Sequence, residues 1–166
     1  MPIDIIISPE IEIAKAILRR LNMPGAFNVV PFGGGKVLLL GVKILEDCPI
    51  IDTPIRQIPD LFEGLHAAIV GIKRDGAVFA PTSDDPLNVG DDAYIVTKTE
   101  HATRLLEVIG NREAKARHNV IVGAGNVGTY VAKALESAVG TRVRMIEFNK
   151  ERAESAAEEL TRTVIL

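Results

Sequence analysis

The residues best suited to chemistry in this 166-residue sequence form a glycine-rich turn. The turn consists of Gly123, Ala124, Gly125, Asn126, Val127 and Gly128. An apolar run, residues 120–122, precedes it, and a helix-forming segment, residues 129–136, follows it. In such a strand–turn–helix unit the first glycine permits a tight turn where a Cβ would clash. The second lets the backbone approach a pyrophosphate, and the third lets the helix pack closely on the strand. Because the first N–H groups of the helix face the ligand, the pattern predicts a binding site for nucleotide phosphates.

The carboxylate of Glu147 extends this prediction to the sugar of the nucleotide. Glu147 ends the next apolar run and lies about 20 residues beyond the glycine turn, where a ribose-binding acid is expected. A carboxylate there accepts hydrogen bonds from ribose hydroxyls and repels a 2′-phosphate, which favours NAD or an adenosine nucleotide over NADP. The alternative is that Glu147 is only a solvated strand-end residue and that the glycines only form a turn.

The other polar residues form no catalytic or metal-binding pattern. His66, His101 and His118 are far apart in the sequence and lack metal-ligand spacing. We expect the acidic pairs 84–85 and 91–92 to be solvated turn residues, with a weak divalent-cation site as the alternative. The sequence has no serine elbow and no general-base constellation. We therefore predict no catalytic residues and no metal ligands.

The composition gives no sign of affinity for nucleic acid or lipid. Hydrophobic residues make up 47% of the chain, enough for a packed core, and the formal net charge is −3, which offers no electrostatic reason to bind nucleic acid. No stretch reaches the roughly 18 uninterrupted apolar residues of a membrane-spanning helix. The single cysteine, Cys48, fits a reducing cytosolic setting. These features predict a cytoplasmic protein without a nucleic-acid partner.

Two further parts precede the glycine turn. Residues 3–7 read as a short strand, and residues 9–22 as an amphipathic helix with apolar residues at four-residue spacing. Residues 27–109 alternate β-branched runs with turns rich in Gly and Asp, including a hairpin signal at residues 74–76. This pattern predicts a compact unit rich in β-strands, followed by a charged linker.

Several motifs, in their order along the chain, make the sequence resemble the RCK-domain family of cytosolic regulatory subunits of bacterial Trk-type potassium uptake systems. Ile7-Ser8-Pro9-Glu10 resembles the end of an RCK nucleotide-binding domain and the start of its crossover helix. Pro24-Gly25-Ala26 before a strand resembles the start of an RCK C-terminal domain, and Leu87-Asn88-Val89-Gly90-Asp91-Asp92 its late β-turn. The segment 122–128 resembles the first strand and turn of a second nucleotide-binding domain.

The resemblance implies an α/β protein, with an α+β C-terminal-type RCK module followed by a partial Rossmann-like βαβ unit. Residues 1–26 would be a strand and crossover helix from a preceding nucleotide-binding domain, and residues 27–110 the C-terminal-type domain. Residues 111–117 would be a linker, and residues 118–166 the truncated start of the next nucleotide-binding domain. Because the residues after Gly128 supply too few strands for a complete Rossmann-type domain, we expect the chain to be a fragment of a longer subunit.

The same resemblance implies a regulatory function. The chain would belong to a nucleotide-binding subunit that controls a membrane-embedded potassium-translocating partner, and it would not be an enzyme. The implied cofactor is NAD(H) or ATP, held by the glycine turn and Glu147. The implied assembly is a homo-oligomer, a dimer or a tetramer, located in the cytoplasm on the inner face of the cell membrane. The alternatives are a fragment of an NAD-dependent oxidoreductase and a structural interaction module with a vestigial glycine motif.

Overall fold

A computed structural model describes residues 7–61, 64, 66–111 and 113–166. The chain forms two compact units. One unit comprises Met23–Ala114, and the other combines Met1–Asn22 with Lys115–Leu166. The strand expected over residues 3–7 lies outside the described residues except for Ile7, which is not in a strand.

The unit Met23–Ala114 is built on a five-stranded antiparallel sheet. Its strands are β1 (Ala26–Phe32), β2 (Val37–Lys43), β3 (Ala67–Arg74), β4 (Ala77–Phe79) and β5 (Asp92–Lys98). Their order in the sheet is β1-β2-β5-β3-β4. The β-rich unit predicted from the alternation of apolar runs and turns is therefore present.

Local turn chemistry determines both hairpins of this sheet. Asp75 and Gly76 connect β3 to β4, and both have positive φ angles, 49° and 83°. A two-residue hairpin loop of this kind matches the twist of the flanking strands, and Asp-Gly is among its preferred sequences. The triple glycine at Gly33–Gly35 forms a short 3-10 turn between β1 and β2. It connects two antiparallel strands and does not open an α-helix.

The core of this unit lies between the sheet and two short helices, α2 (Ile58–Leu61) and α3 (Ala102–Val108). Its completely buried side chains include Leu40, Ile72 and Leu87.

One acidic residue of this unit contradicts the sequence-based expectation. Asp91 was expected to be solvated, but it is only 1% exposed. It accepts hydrogen bonds from Arg74 Nε at 2.8 Å and Arg74 Nη2 at 2.7 Å, and from the Asn88 N–H at 2.9 Å. Burial by itself raises the pKa of Asp91, but these hydrogen bonds outweigh it and hold the pKa below its ordinary value. Asp91 is thus the buried anchor of the turn before β5.

The second unit contains a three-stranded parallel sheet with β7 in the centre. Its strands are β6 (His118–Val122), β7 (Arg142–Ile146) and β8 (Val164–Ile165). The connections between them contain α4 (Asn126–Glu136) and α5 (Lys150–Glu159). This βαβαβ unit contains the βαβ unit that was expected for residues 118–166, and with the first unit it makes the chain an α/β protein.

Helix α1 (Pro9–Asn22) packs against α4 in this second unit. Ala14 is the buried residue of α1, whereas Ile13 and Ile17 remain 53% and 40% exposed. The small side chain of Ala14 allows the two helices to approach closely, and part of the apolar stripe of α1 stays uncovered. In the part of the chain that the structure describes, we find no helix with the length and apolar character required to cross a membrane.

Candidate functional site

The glycine turn connects the carboxyl end of β6 to the amino end of α4. Gly123 has a φ angle of +102°, which strongly favours glycine, and its N–H donates to the carbonyl oxygen of Ile146 at 2.8 Å. A clash with a Cβ atom was the reason expected for this glycine. That reason is wrong, because a Cβ placed at Gly123 would have no atom within 4 Å. The requirement for glycine comes from the backbone conformation.

The two other glycines have different environments. A Cβ added to Gly128 would lie 2.2 Å from the carbonyl oxygen of Gly123 and 3.3 Å from Ile121 Cγ2. Only glycine therefore allows α4 to start this close to the turn, as the sequence predicted. A Cβ added to Gly125 would meet no atom within 4 Å, and the backbone there is extended, with φ −78° and ψ 177°. Neither the backbone angles nor the space around the Cβ position therefore requires glycine at residue 125.

The amino end of α4 is open to an anion. Gly125 is the N-cap residue and, being glycine, contributes no side-chain hydrogen bond to this end of the helix. The Thr129 N–H donates to the carbonyl oxygen of Gly125 at 2.9 Å and closes the first turn. The first N–H groups of a helix carry partial positive charge, so this end of α4 favours a bound phosphate.

Glu147 lies beside the turn and is hydrogen-bonded to it. One carboxylate oxygen, Oε2, accepts from the Ala124 N–H at 2.6 Å, and the other, Oε1, accepts from the Asn149 N–H at 2.9 Å. The hydrogen bonds from Asn149 and Ala124 lower the pKa of Glu147, so this group is ionised at neutral pH. The structure therefore brings together the turn and the acid that the sequence nominated, with the carboxylate held in one orientation.

A cavity of about 870 Å³ opens on the glycine turn. This volume lies within the usual range for small-molecule sites. Its walls come from the turn, from the first residues of α1, and from the facing sides of α4 and α5. The lining residues are Ser8, Glu10, Ile11, Ala124, Gly125, Asn126, Thr129, Tyr130, Lys133, Arg152, Ser155, Ala156 and Glu159. Glu147 does not line the cavity; it contacts the turn through Ala124.

Three residues of this region were missed by the sequence analysis. Phe148 follows Glu147 and is 98% exposed, and Arg152 lines the cavity and lowers the pKa of Glu147 by its charge. Asn149 is the N-cap of α5, where its side-chain oxygen accepts from the Arg152 N–H at 3.0 Å. An Asn directly before a helix with an acid in its first turn is a recognised N-cap signal, so Asn149 could have been found from the sequence.

Glu136, also missed, stabilises the same unit from the far end of α4. Its carboxylate is buried and accepts from the backbone N–H groups of Arg162 at 2.6 Å, Thr163 at 2.5 Å and Thr161 at 3.3 Å. Burial alone raises the pKa of Glu136, but these hydrogen bonds outweigh it and lower the pKa. Glu136 thus joins α4 to the connection between α5 and β8.

The other candidate groups are the histidines and the single cysteine. His66 and His101 are in edge contact, with ring centroids 5.8 Å apart, although they are distant in sequence. Among the described residues, no group of three or more His, Cys, Asp or Glu side chains is arranged to hold a metal ion. Cys48 is buried, and this burial raises the pKa of its thiol.

Comparison with known proteins places these features in two family models. The TrkA-C domain model matches residues 39–110, and the TrkA-N domain model matches residues 119–166. The second match contains the whole glycine turn and Glu147.

Curated relatives match the chain along nearly its whole length. It is 46% identical over its entire length to the Trk system potassium uptake protein TrkA of Azorhizobium caulinodans, of which it covers 36%. It is 34% identical, over 95% of its length, to the TrkA homolog of Archaeoglobus fulgidus, of which it covers 35%. Among solved structures, the GsuK RCK domain matches 92% of this chain, at 14% identity and a TM-score of 0.46, and the chain covers 37% of it. The chain thus spans about a third of the length of the curated relatives that it matches.

Proposed function

Because this chain belongs to the family of TrkA proteins with TrkA-C and TrkA-N domains, we propose that it is the part of a potassium uptake regulator that binds a nucleotide. One observation carries the proposal. Glu147 is hydrogen-bonded to the turn that leads into the open amino end of α4. A helix end suited to bind phosphate and a carboxylate suited to bind ribose therefore lie side by side, as in dinucleotide-binding βαβ units.

We propose a role for each group around the ligand. Gly125 leaves room for the pyrophosphate to approach the backbone, and the first N–H groups of α4 donate to its oxygens. The Glu147 carboxylate accepts hydrogen bonds from the adenosine ribose hydroxyls and disfavours a 2′-phosphate. Phe148, which is exposed next to Glu147, supplies an apolar face on which the adenine ring packs. These groups recognise the adenosine and phosphate parts that NAD(H) and ATP share.

We further propose that the protein regulates and does not catalyse. Its partner would be a membrane-embedded potassium-translocating subunit, and the protein would lie in the cytoplasm on the inner face of the membrane. The family names support potassium uptake. We propose a homo-oligomer as the working assembly, for which the exposed Ile13 and Ile17 of α1 provide apolar contact surface. The oxidoreductase alternative would require hydride transfer that depends on the glycine turn.

We also propose a division of the chain into four segments. We assign residues 27–110 to the C-terminal-type module and residues 118–166 to the start of a nucleotide-binding domain. Residues 111–117 would link them, and residues 1–26 would come from a preceding domain. The two family-model matches support the segments 27–110 and 118–166.

The binding test uses the full-length natural protein and titration with NADH, ATP and NADPH. Glu147→Gln should weaken NADH binding about tenfold or more, because a hydrogen bond to a charged group contributes about 1.5–3 kcal/mol. It should also reduce the preference for NADH over NADPH. Glu154→Gln is the matched control, because Glu154 is exposed and ion-paired with Lys150 at 3.7 Å. If the wild-type protein binds none of the three nucleotides, the proposed function is wrong.

The physiological test measures potassium uptake by bacteria that lack their own regulatory subunit. Wild-type protein should restore growth at low potassium, and Gly125→Val should not, although the protein accumulates normally. If the wild-type protein and Gly125→Val restore growth equally, potassium uptake does not depend on nucleotide binding at this turn. That result would refute the regulatory role.

A further inference from the structure

The five-stranded sheet has an outer face, turned away from the core, that is apolar in its middle. Leu38, Leu40 and Val42 of β2 lie in the core, so the residues that alternate with them point to the outer face. The strand register arranges the outer residues in two apolar rows across the sheet. The aliphatic row consists of Val30, Leu39, Val96 and Ala68, and the aromatic row of Phe27 and Tyr94.

The apolar side chains of this face remain partly accessible. The Phe27 and Tyr94 rings are in edge contact, with centroids 6.0 Å apart, and Phe27 itself is 36% exposed. Phe32 and Val70, which lie on the same face beside the rows, are 52% and 48% exposed. An antiparallel sheet with one face in water usually alternates apolar residues toward the core with polar residues toward solvent. Apolar residues on both faces indicate that a second layer packs on the outer one.

Opposite charges lie at the two ends of the outer face of β5. Asp92, Tyr94, Val96 and Lys98 alternate with the buried residues of this strand. The outer face therefore presents, in order along β5, an acid, the aromatic row, the aliphatic row and a base. At the acidic end, Asp92 forms an ion pair with Lys43 of β2 at 2.9 Å.

We propose that the outer face of this sheet binds the same face of a second copy of the chain, related to the first by a two-fold axis that runs across the strands. This axis reverses the strand direction between the two facing sheets. Asp92 of one copy then lies opposite Lys98 of the other, and symmetry produces this charge pair twice. The aromatic row of each copy packs on the aliphatic row of the other, as in two face-to-face sheets with aligned strands.

The area of this face is sufficient for a specific dimer. Four neighbouring strands of about seven residues span roughly 19 Å by 24 Å. Two such faces bury on the order of 1,000 Å² when they meet, which reaches the lower limit for a specific interface. The inference goes beyond the proposed function, because this interface lies in the unit Met23–Ala114 and involves neither the nucleotide site nor α1.

Carbodiimide coupling of the full-length natural protein tests the arrangement, because it joins a carboxylate to an amine that is in contact with it. Asp92 and Lys98 of one chain lie at opposite ends of β5, about 20 Å apart, so they can be coupled only between two copies. We expect this cross-link, identified by mass spectrometry of the digested protein. The cross-link of Asp92 to Lys43 within one chain is the internal control, because that pair is present in the single copy.

Two substitutions of exposed alanines test whether the apolar rows form the interface. Ala68→Glu places a carboxylate in the aliphatic row and should reduce the yield of the Asp92–Lys98 cross-link at least about tenfold, because it buries an unpaired charge. Ala77→Glu is the matched control. Ala77 is also an exposed strand residue, but its pairing with Arg74 places it on the other face of the sheet. Both variants should retain the Asp92–Lys43 cross-link, which reports that the sheet is folded.

Several results would overturn the inference. It is wrong if the Asp92–Lys43 cross-link forms without the Asp92–Lys98 cross-link, or if Ala68→Glu and Ala77→Glu have equal effects on the latter. It is also wrong if Lys98 couples instead to a carboxylate outside the unit Met23–Ala114, because another segment would then cover this face. None of these results concerns nucleotide binding, so the proposed function stands or fails separately.

Discussion

Two alanine substitutions in the glycine turn should separate stability from binding. At Gly128, the new Cβ would lie 2.2 Å from the Gly123 carbonyl oxygen. That oxygen belongs to the backbone of the turn, so no side-chain rotation relieves the clash. The start of α4 must move by about 1 Å to restore an ordinary contact distance. At Gly125, the new Cβ would meet no atom within 4 Å, so the folded chain accommodates it.

The expected magnitudes follow from these contacts. Overpacking costs about 1–3 kcal/mol, and replacing Gly by Ala inside a helix returns about 1 kcal/mol. Because the clash is severe, we take the overpacking cost from the upper half of its range, about 2–3 kcal/mol. After the gain of about 1 kcal/mol in helix propensity, Gly128→Ala should lower the free energy of unfolding by about 1–2 kcal/mol. Gly125→Ala loses only the better N-cap preference of glycine, about 0.5–1 kcal/mol. Its Cβ would instead occupy the space that the pyrophosphate needs, so NADH affinity should fall at least about tenfold.

The assay measures urea denaturation and NADH binding for each variant and for the wild-type protein. We expect Gly128→Ala to have the larger loss of stability, and Gly125→Ala to lose binding while it unfolds near the wild-type urea midpoint. The reasoning is refuted if Gly128→Ala is as stable as wild type, because the close packing of α4 on the turn would then be incorrect. It is equally refuted if Gly125→Ala binds NADH as tightly as wild type.

Two further predictions concern the buried carboxylates. Because the folded-state pKa of Glu136 lies below its ordinary value of 4.5, its stabilisation is complete above that pH and is lost as the pH falls through the folded-state pKa. Acid should therefore reduce the unfolding free energy of wild type more than that of Glu136→Gln, and parallel pH profiles in urea denaturation would contradict this. Asp91→Asn should cost about 3 kcal/mol, because it leaves Arg74 without its buried partner. Its control, Asp92→Asn, removes a partly exposed pair with Lys43 and should cost less than about 1 kcal/mol; equal losses would contradict the role of burial.

Local patterns in the sequence were sufficient for the elements that short-range geometry controls. The hairpin at residues 74–76 was predictable because Asp-Gly adopts the positive φ angles that a tight β-turn needs. The strand–turn–helix unit around Gly123–Gly128 was predictable because glycine spacing and apolar periodicity agree there. The order of these motifs also indicated the family, which the two domain matches and the curated relatives confirm.

Only the tertiary structure decided where the charged groups lie, because burial and hydrogen bonding depend on residues far apart in the chain. Asp91 and Asp92 are neighbours in sequence, yet only Asp91 is completely buried, since Arg74 reaches it from β3. In the sequence, Glu136 resembles any acid at a helix end. In the structure, three backbone N–H groups of the connection after α5 donate hydrogen bonds to its carboxylate. The sequence predicted Glu147 at a strand end. The hydrogen bond that its carboxylate accepts from the Ala124 N–H follows from the parallel pairing of β6 with β7. The cavity wall formed by α1 likewise arises from packing of α1 on α4, two helices separated by the entire unit Met23–Ala114 in the sequence.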